Sequence, residues 1–338
     1  MTKKIGSGTY VFSSPVRVRA YEVTVGQKER QGPLGKYFRY YSDDEYFGQD
    51  SFEKAETFMQ KEVLGRVIQK QGLSAEDIDF VFAGDLLNQC AGSNYSVRDL
   101  SVQFFGLYGA CSTMAEALIL ACMTIDGDFS TRALAMTSSH FCSAERQFRY
   151  PLEYGAQRPP AAQWTVTGAG CVMLDRYNGK IGISRCCPGA ICDMGITDIS
   201  NMGAAMAPAA ALTLKRFFDD TSTKPSDYDL ILTGDLGAVG AELLRKLLLQ
   251  DGIDLGDGYD DCGLLIYDCK SQDVHSGGSG CGCSASVLTG YVLPEMENGR
   301  FRNVLFMTTG ALMSPTSNMQ GESIPGIAHL VNFVGGAV

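Results

Sequence analysis

Histidine is scarce in this chain. Only three, His140, His275 and His329, occur in 338 residues. No Cys-x-x-Cys is found among the 12 cysteines, and the nearest pairs, Cys186–Cys187 and Cys281–Gly282–Cys283, stand too close for an ordinary disulfide or zinc framework. With so few ligand-spaced residues no structural metal site is expected, and most thiols read as small core hydrophobes kept reduced in a cytosolic setting. Long apolar runs are missing too. The best stretch, Ala117–Ile125, falls far short of the ~18 residues a membrane-crossing helix needs. Lys3–Lys4 have no apolar run behind them, so no secretory signal is expected. Basic clusters are absent: 28 Lys and Arg against 38 Asp and Glu leave a net charge of −10. That excludes nucleic acid as the main partner and simple electrostatic adhesion to an anionic membrane.

What the chain does have is glycine, 39 in all, many at the ends of short apolar runs, as in an α/β protein with tight strand-to-helix turns. The alternating Val16–Ala20 reads as a strand. A polar stretch over Gly32–Tyr46 reads as a loop. Asp50–Gly72 reads as a helix capped by Asp50 or Ser51, with Met59, Val63, Leu64, Val67 and Ile68 as its apolar stripe. Phe80–Asp85 is a short buried strand ending in Gly84–Asp85. Asn94–Phe105 holds a shorter helix and the approach to a second strand. Tyr108–Gly109–Ala110–Cys111 is a tight turn that places a cysteine at the start of a helix apolar on every side, Ser112–Ile125. Arg132–Thr137 and Trp164–Asp175 follow as strands, separated by a Pro-rich irregular stretch, Tyr150–Gln163. Lys180–Ser184 begins a new unit, and Ile199–Phe218 is its first helix.

The second unit restates the first. Asp79–Leu86 matches Asp229–Leu236 at an offset of 150 (234 − 84), and Ala135–Thr137 matches Phe306–Thr308 at 171 (307 − 136). The difference predicts about 21 extra residues in the second half, within Leu236–Val274. Gly277–Cys281 takes the place of the Cys111 turn, and Ser284–Glu297 the place of its buried helix. The reading is two halves, 1–178 and 179–338, stacked as a five-layer α-β-α-β-α sandwich with two mostly parallel sheets. Ligands then bind at the carboxyl ends of strands, near the middle-layer helix N-termini.

Gly-Ala-Cys at a buried helix N-terminus in such a duplicated chain resembles the thiolase and ketoacyl-synthase superfamily. Longer runs narrow the resemblance: Gly84–Gln89, Gly109–Thr113, Thr137–His140, Ala144–Pro151, Met206–Ala210, Asp261–Leu264, Gly277–Cys281 and Ser323–His329. Together, from about Tyr10 to Phe333, they are similar to the stage V sporulation protein AD family. That resemblance implies a dipicolinate-binding protein, pyridine-2,6-dicarboxylate being moved as a calcium chelate into the developing spore. It implies attachment to the spore inner membrane, other stage V sporulation A proteins as partners, a homodimer, and use of the thiolase fold without turnover.

At a helix N-terminus the Cys111 thiol is expected to be acidified, which suits a nucleophile, while the same N–H groups suit a carboxylate. A nucleophile needs a base. Condensing enzymes of this fold take a His from the second half, but Leu236–Gly240 has none. His275 lacks the proline and spacing of a thiolase turn, and Thr309–Leu312 lacks the second cysteine, for which Cys281 or Cys283 are the substitutes. The glycines of Gly277–Cys283 do not have dinucleotide-binding spacing. The expectation is therefore a binding pocket, with an acyltransferase using Cys111 as the alternative. Cys111, Ser112 and the helix N-terminus are expected to serve one carboxylate, and His140 and Arg146 the other. Asp85, Leu86, Leu87 and Asn88 should rim the cleft, with Asp85 able to touch calcium that arrives with the ligand. Asp235, at the repeat position of Asp85, reads as a residue facing a partner subunit. His329 is a further candidate for the pocket. Three of these candidates have a structural alternative: His140 as a strand-end cap, Arg146 paired with Glu145 or Glu153, and His329 as a satisfied core group. No cofactor of the protein's own is expected.

Overall fold

The computed structural model describes residues 3–148 and 158–336. Ten strands carry the architecture. The first five are β1 (Thr9–Gly26), β2 (Phe80–Gly84), β3 (Gln103–Leu107), β4 (Arg132–Ser139) and β5 (Gly168–Asp175). The second five are β6 (Ile181–Cys187), β7 (Leu230–Thr233), β8 (Tyr259–Asp261), β9 (Asn303–Ala311) and β10 (Gly326–Gly335). Their order is β8-β7-β9-β10-β6-β1-β5-β4-β2-β3, so the halves mirror each other about β1 and β6. In each half four strands run one way and the fourth in the order, β5 or β10, opposes them.

Four helices cover the outer faces. On the first half these are α1 (Phe52–Lys70) and α2 (Ala91–Val97); on the second, α5 (Met202–Thr221) and α6 (Gly237–Gln250). Between the sheets lie α3 (Thr113–Asp126) and the helix that starts as α8 (Cys281–Val287) and runs through a π turn, Leu288–Val292, into α9 (Leu293–Glu297). The short helices α4 (Phe141–Phe148), α7 (Cys262–Ile266) and α10 (Pro315–Met319) lie at strand ends. This is the thiolase-like sandwich that the sequence predicts.

The elements form for ordinary reasons. Ser51 caps α1, its hydroxyl accepting from the Lys54 N–H at 3.3 Å, and the predicted apolar stripe is its buried face. Met114, Leu118 and Ile125 of α3 are fully buried, each contributing about 1.5–3 kcal/mol. The repeat is kept to the level of register: Phe80 faces Ala133 across β2–β4, and Leu230 faces Val304 across β7–β9. Those pairs carry the same offsets, 150 (230 − 80) and 171 (304 − 133).

Two features differ from the sequence reading. The strand around Val16–Ala20 is 18 residues long, because β1 pairs antiparallel with β6 as well as with β5 and welds the two sheets into one. The Trp164–Asp175 strand is broken: Trp164–Thr165 pairs instead with Gly278–Ser279, and only Gly168–Asp175 joins the large sheet. Much of the Pro-rich stretch, with Glu153, lies outside the described residues.

Candidate functional site

Four strand ends converge on Cys111. A short 3-10 turn, Ala110–Ser112, delivers it from β3 to α3. Ala110 holds φ +50°, a left-handed conformation that a non-glycine residue adopts only when its surroundings impose it. Those surroundings come from the second half. A Cβ on Gly310 of β9 would stand 2.5 Å from the Gly109 carbonyl oxygen, so the bare glycine lets the two turns touch. Next to it, the Thr308 hydroxyl donates to the Ser112 carbonyl at 2.6 Å and accepts from the Ala115 N–H at 3.2 Å. One N–H at the head of α3 is thereby satisfied by protein.

A cavity of about 270 Å³ opens over the thiol. Its apolar wall is Leu86, Ala144, Phe148, Met202, Leu312 and Met313. Tyr108, Thr165, Ser279, Ser314 and Ser317, which carry hydroxyls, also line it. No lysine, arginine or histidine lines it among the described residues. Cys281, the second-half counterpart of Cys111, packs behind the wall, and its thiol donates to the Ser138 carbonyl at 2.9 Å.

The electrostatics run opposite to the sequence expectation. Burial pushes the Cys111 thiol well above the usual range, and the Asp235 carboxylate beside it pushes further by charge and by accepting the thiol's hydrogen bond. The Gly280 N–H works the other way but is outweighed. Asp235 is buried, with its two oxygens accepting from the Gly280 N–H at 2.9 Å and the Thr309 hydroxyl at 2.8 Å. The helix N-terminus does not acidify this cysteine, because an adjacent carboxylate and loss of solvent outweigh a partial positive charge.

The predicted site residues scatter. Cys111 and Leu86 line the cavity; the others do not. Ser112 is buried, and its hydroxyl donates to the Gly109 carbonyl at 2.6 Å. Asp85 is buried beneath its own loop, accepting from the Leu87 N–H at 2.9 Å and from the Ser93 N–H and hydroxyl at 2.7 and 2.6 Å. Leu87 is buried, and Asn88 is tied to the Gln147 amide at 2.9 Å. His140 is locked by structure: Nδ1 accepts from the Cys142 N–H at 3.2 Å, so Nε2 donates to the Glu45 carbonyl at 2.7 Å. Burial lowers its pKa, which leaves it neutral. Arg146 points to solvent and pairs with Glu53 at 3.3 Å. His329 accepts from the Gly189 N–H at 3.0 Å, and burial holds it down at about 4. Proximity to a strand end in sequence does not place a side chain in the cavity, and these residues do not line it.

Two contributors lie outside the sequence expectation. Asp235 reads from sequence as a residue facing a partner subunit, although its repeat position marks a strand end. Leu312–Ser317 follows β9, and the strand-end rule applied to the second half finds it.

Behind the wall lies a sealed polar cluster. Glu56 accepts from Ser138 and Ser143 hydroxyls at 2.9 and 2.8 Å, and Gln60 bridges Ser138 and Ser93 at 2.7 and 3.1 Å. Burial pushes Glu56 up to about 8, the nearby Asp85 adding to it. No group of three or more His, Cys, Asp or Glu able to hold a metal occurs among the described residues, nor any helix long and apolar enough to cross a membrane.

The family model described as Stage V sporulation protein AD (SpoVAD) matches residues 6–334. Stage V sporulation protein AD of Bacillus subtilis (strain 168) is 46% identical over 337 residues, covering 99% of both chains. The chain belongs to the SpoVAD family. Solved structures place this SpoVAD chain's fold beside condensing enzymes. The 3-oxoacyl-[acyl-carrier-protein] synthase III from Aquifex aeolicus VF5 aligns with TM-score 0.56 at 12% identity, over 94% of this chain and 99% of the enzyme. A single-substitution variant of OleA from Xanthomonas campestris, bound with cerulenin, aligns with TM-score 0.58 at 12% identity, over 96% of this chain and 97% of that one. These likenesses establish the fold; the SpoVAD match makes the chain a sporulation-family protein.

Proposed function

We propose that the Cys111 cavity is a non-catalytic binding site for dipicolinate, taken as its calcium chelate, in the machinery that loads this compound into the developing spore. The observation that carries the reading is the Cys111–Asp235 pair. A thiol that donates to a carboxylate is held protonated, whereas acyl transfer needs a thiolate and a base to make it. Where a condensing enzyme would offer a histidine, the buried thiol meets the carboxyl group of Asp235, and no histidine lines the cavity among the described residues. The cavity suits a flat ring, with apolar walls and hydroxyl-bearing residues in its lining.

Charge selects the form of the ligand. Free dipicolinate is a dianion at neutral pH, and a site with no lining cation among the described residues and a buried Asp235 behind it disfavours a dianion. The 1:1 calcium chelate is neutral, and its metal can accept hydroxyl oxygens. The reading includes peripheral attachment at the spore inner membrane beside other stage V sporulation A proteins. It also includes a homodimer, for which β3 offers a sheet edge unpaired among the described residues, with Phe105 about half exposed.

Calorimetric titration tests it. Dipicolinate with equimolar calcium is expected to bind at one site per chain, and at least tenfold more tightly than dipicolinate in chelator. No heat with either form would overturn the proposal. A covalent acyl adduct on Cys111 after incubation with an acyl thioester would establish the acyltransferase alternative.

A further inference from the structure

A second cavity, of about 780 Å³, lies at the far end of the middle layer from Cys111. It is bounded by β1 at Tyr21–Val23, by the end of α1, and by the C-terminal part of the central helix around Gly290–Asn298. From Cys281 to Gly290 the helix rises roughly 14 Å at 1.5 Å per residue, so the two cavities are separate.

Four cations face this cavity: Lys36, Arg39, Arg66 and Lys70. That is a concentration of positive charge in a chain whose net charge is −10. Two of the four are committed. Lys70 pairs with Glu22 at 2.9 Å, and Arg66 Nη1 with Glu62 at 2.7 Å. Glu297, the other acid on the wall, accepts from the Tyr21 hydroxyl. Lys36 and Arg39 are exposed and have no ion-pair partner among the described residues.

Arg66 carries the sharper signal. Its guanidinium carbon lies 4.0 Å from the centre of the Tyr40 ring, which fixes the plane. Nε and Nη2 are both buried with no hydrogen-bond partner. These two groups share one edge of the guanidinium, the edge that binds carboxylate or phosphate through two parallel hydrogen bonds. Buried donors left idle cost stability, and natural structures rarely keep them without a reason.

We infer that this cavity is an anion site for a phosphate group, held by Lys36 and Arg39 at the rim and by the idle edge of Arg66 inside. Three cations on two separate segments are met better by a phosphate, with several acceptor oxygens, than by one carboxylate. Tyr37 and Tyr40 give the organic part of the ligand aromatic surface to lie on. Side-chain adjustment at the rim brings the phosphate to the Arg66 edge. The phosphate is either part of a soluble ester or the headgroup of an anionic lipid, and the second would dock this face on a bilayer despite the overall negative charge. Local charge decides such contacts once the Debye length, ~8 Å at physiological salt, is shorter than the molecule.

Two probes separate the sources. One is co-sedimentation of the full chain with phosphatidylglycerol vesicles against phosphatidylcholine vesicles. The other is calorimetric titration with glycerol 3-phosphate. Binding to one probe is expected, weakening with added salt. The Lys36→Glu/Arg39→Glu double variant is expected to lose at least tenfold in affinity with an unchanged melting midpoint, both residues being exposed. Arg66→Lys, which keeps the charge and removes the paired donors, is expected to lose several-fold. Phosphatidylglycerol binding alone assigns the site to a headgroup; glycerol 3-phosphate binding assigns it to a soluble ester. If neither probe binds, or the double variant binds as the parent does, the inference is wrong. The result is independent of dipicolinate binding at Cys111.

Discussion

In each half the strand next to the outer edge of the sheet, β2 or β7, runs into Gly-Asp, yet the two aspartates face different tasks. Asp85 turns back on its own loop and holds the N–H groups of Leu87 and Ser93. In the second half that task falls to Asp261 on β8, which accepts from the Leu236 and Gly237 N–H groups at 2.9 and 3.1 Å and from the Thr233 hydroxyl at 2.6 Å. Asp235 is thereby released from loop duty and turns to Gly280, Thr309 and the Cys111 thiol. A duplicated scaffold keeps its strands and register while one half reassigns a carboxylate. The reassigned one sets the chemistry of a cysteine in the other half.

The largest effect expected from breaking this contrast is structural. Asp85→Ala strands two backbone donors and a hydroxyl in a buried loop and should cost about 3 kcal/mol in denaturant unfolding. An unchanged midpoint would show that Asp85 does not hold the loop.

Next comes pH. Glu56 titrates near 8 in the fold against 4.5 in the unfolded chain, so between those values the folded state binds more protons. The stability that Glu56 contributes therefore falls as pH rises from about 4.5 to 8 and changes no further above that, while His329, held down at about 4, works in the opposite direction up to its ordinary value of 6.5. Glu29 and Asp261, each pushed by burial to about 7, add slope in the same direction as Glu56. Glu56→Gln should flatten the decline measured by melting between pH 5 and 8. An equal slope in that variant would remove Glu56 as its source.

The smallest effect is on binding. Cys111→Ala should leave the fold intact and weaken the calcium–dipicolinate chelate about three- to tenfold, ~1 kcal/mol, as a wall contact and not a charge is lost. Unaltered affinity would move the ligand elsewhere.

Much of this was legible in the sequence. The offsets of 150 and 171 predicted strand register residue for residue, because pairing a buried strand one residue out turns its apolar face to water. The extra length of the second half divides unevenly within the stretch the sequence marks. Phe104 and Tyr259 take equivalent places at an offset of 155 (259 − 104), and Cys111 and Cys281 at 170 (281 − 111), so most of it lies between β8 and the Cys281 turn. The weld of β1 to β6 was not legible, since a strand pattern shows which faces are apolar and not which edges pair. The cavity was half legible. Cys111 announced itself by its turn, and Leu86 by its strand end. His140 and Arg146 fit the site by residue type and proximity, but His140 is spent on Glu45 and Cys142, and Arg146 on Glu53. Hydrogen-bond partners close at hand along a loop decide such cases, and composition does not reveal them.

The account stands on burial, reinforced by Asp235, keeping Cys111 protonated. Thiolate absorbance near 240 nm, titrated as the difference between the parent and Cys111→Ala, reads that directly. The parent is expected to show no Cys111 thiolate up to pH 9, and Asp235→Asn to bring its titration toward the ordinary thiol range. A Cys111 thiolate already present at pH 7, or a titration that Asp235→Asn leaves unmoved, would contradict it.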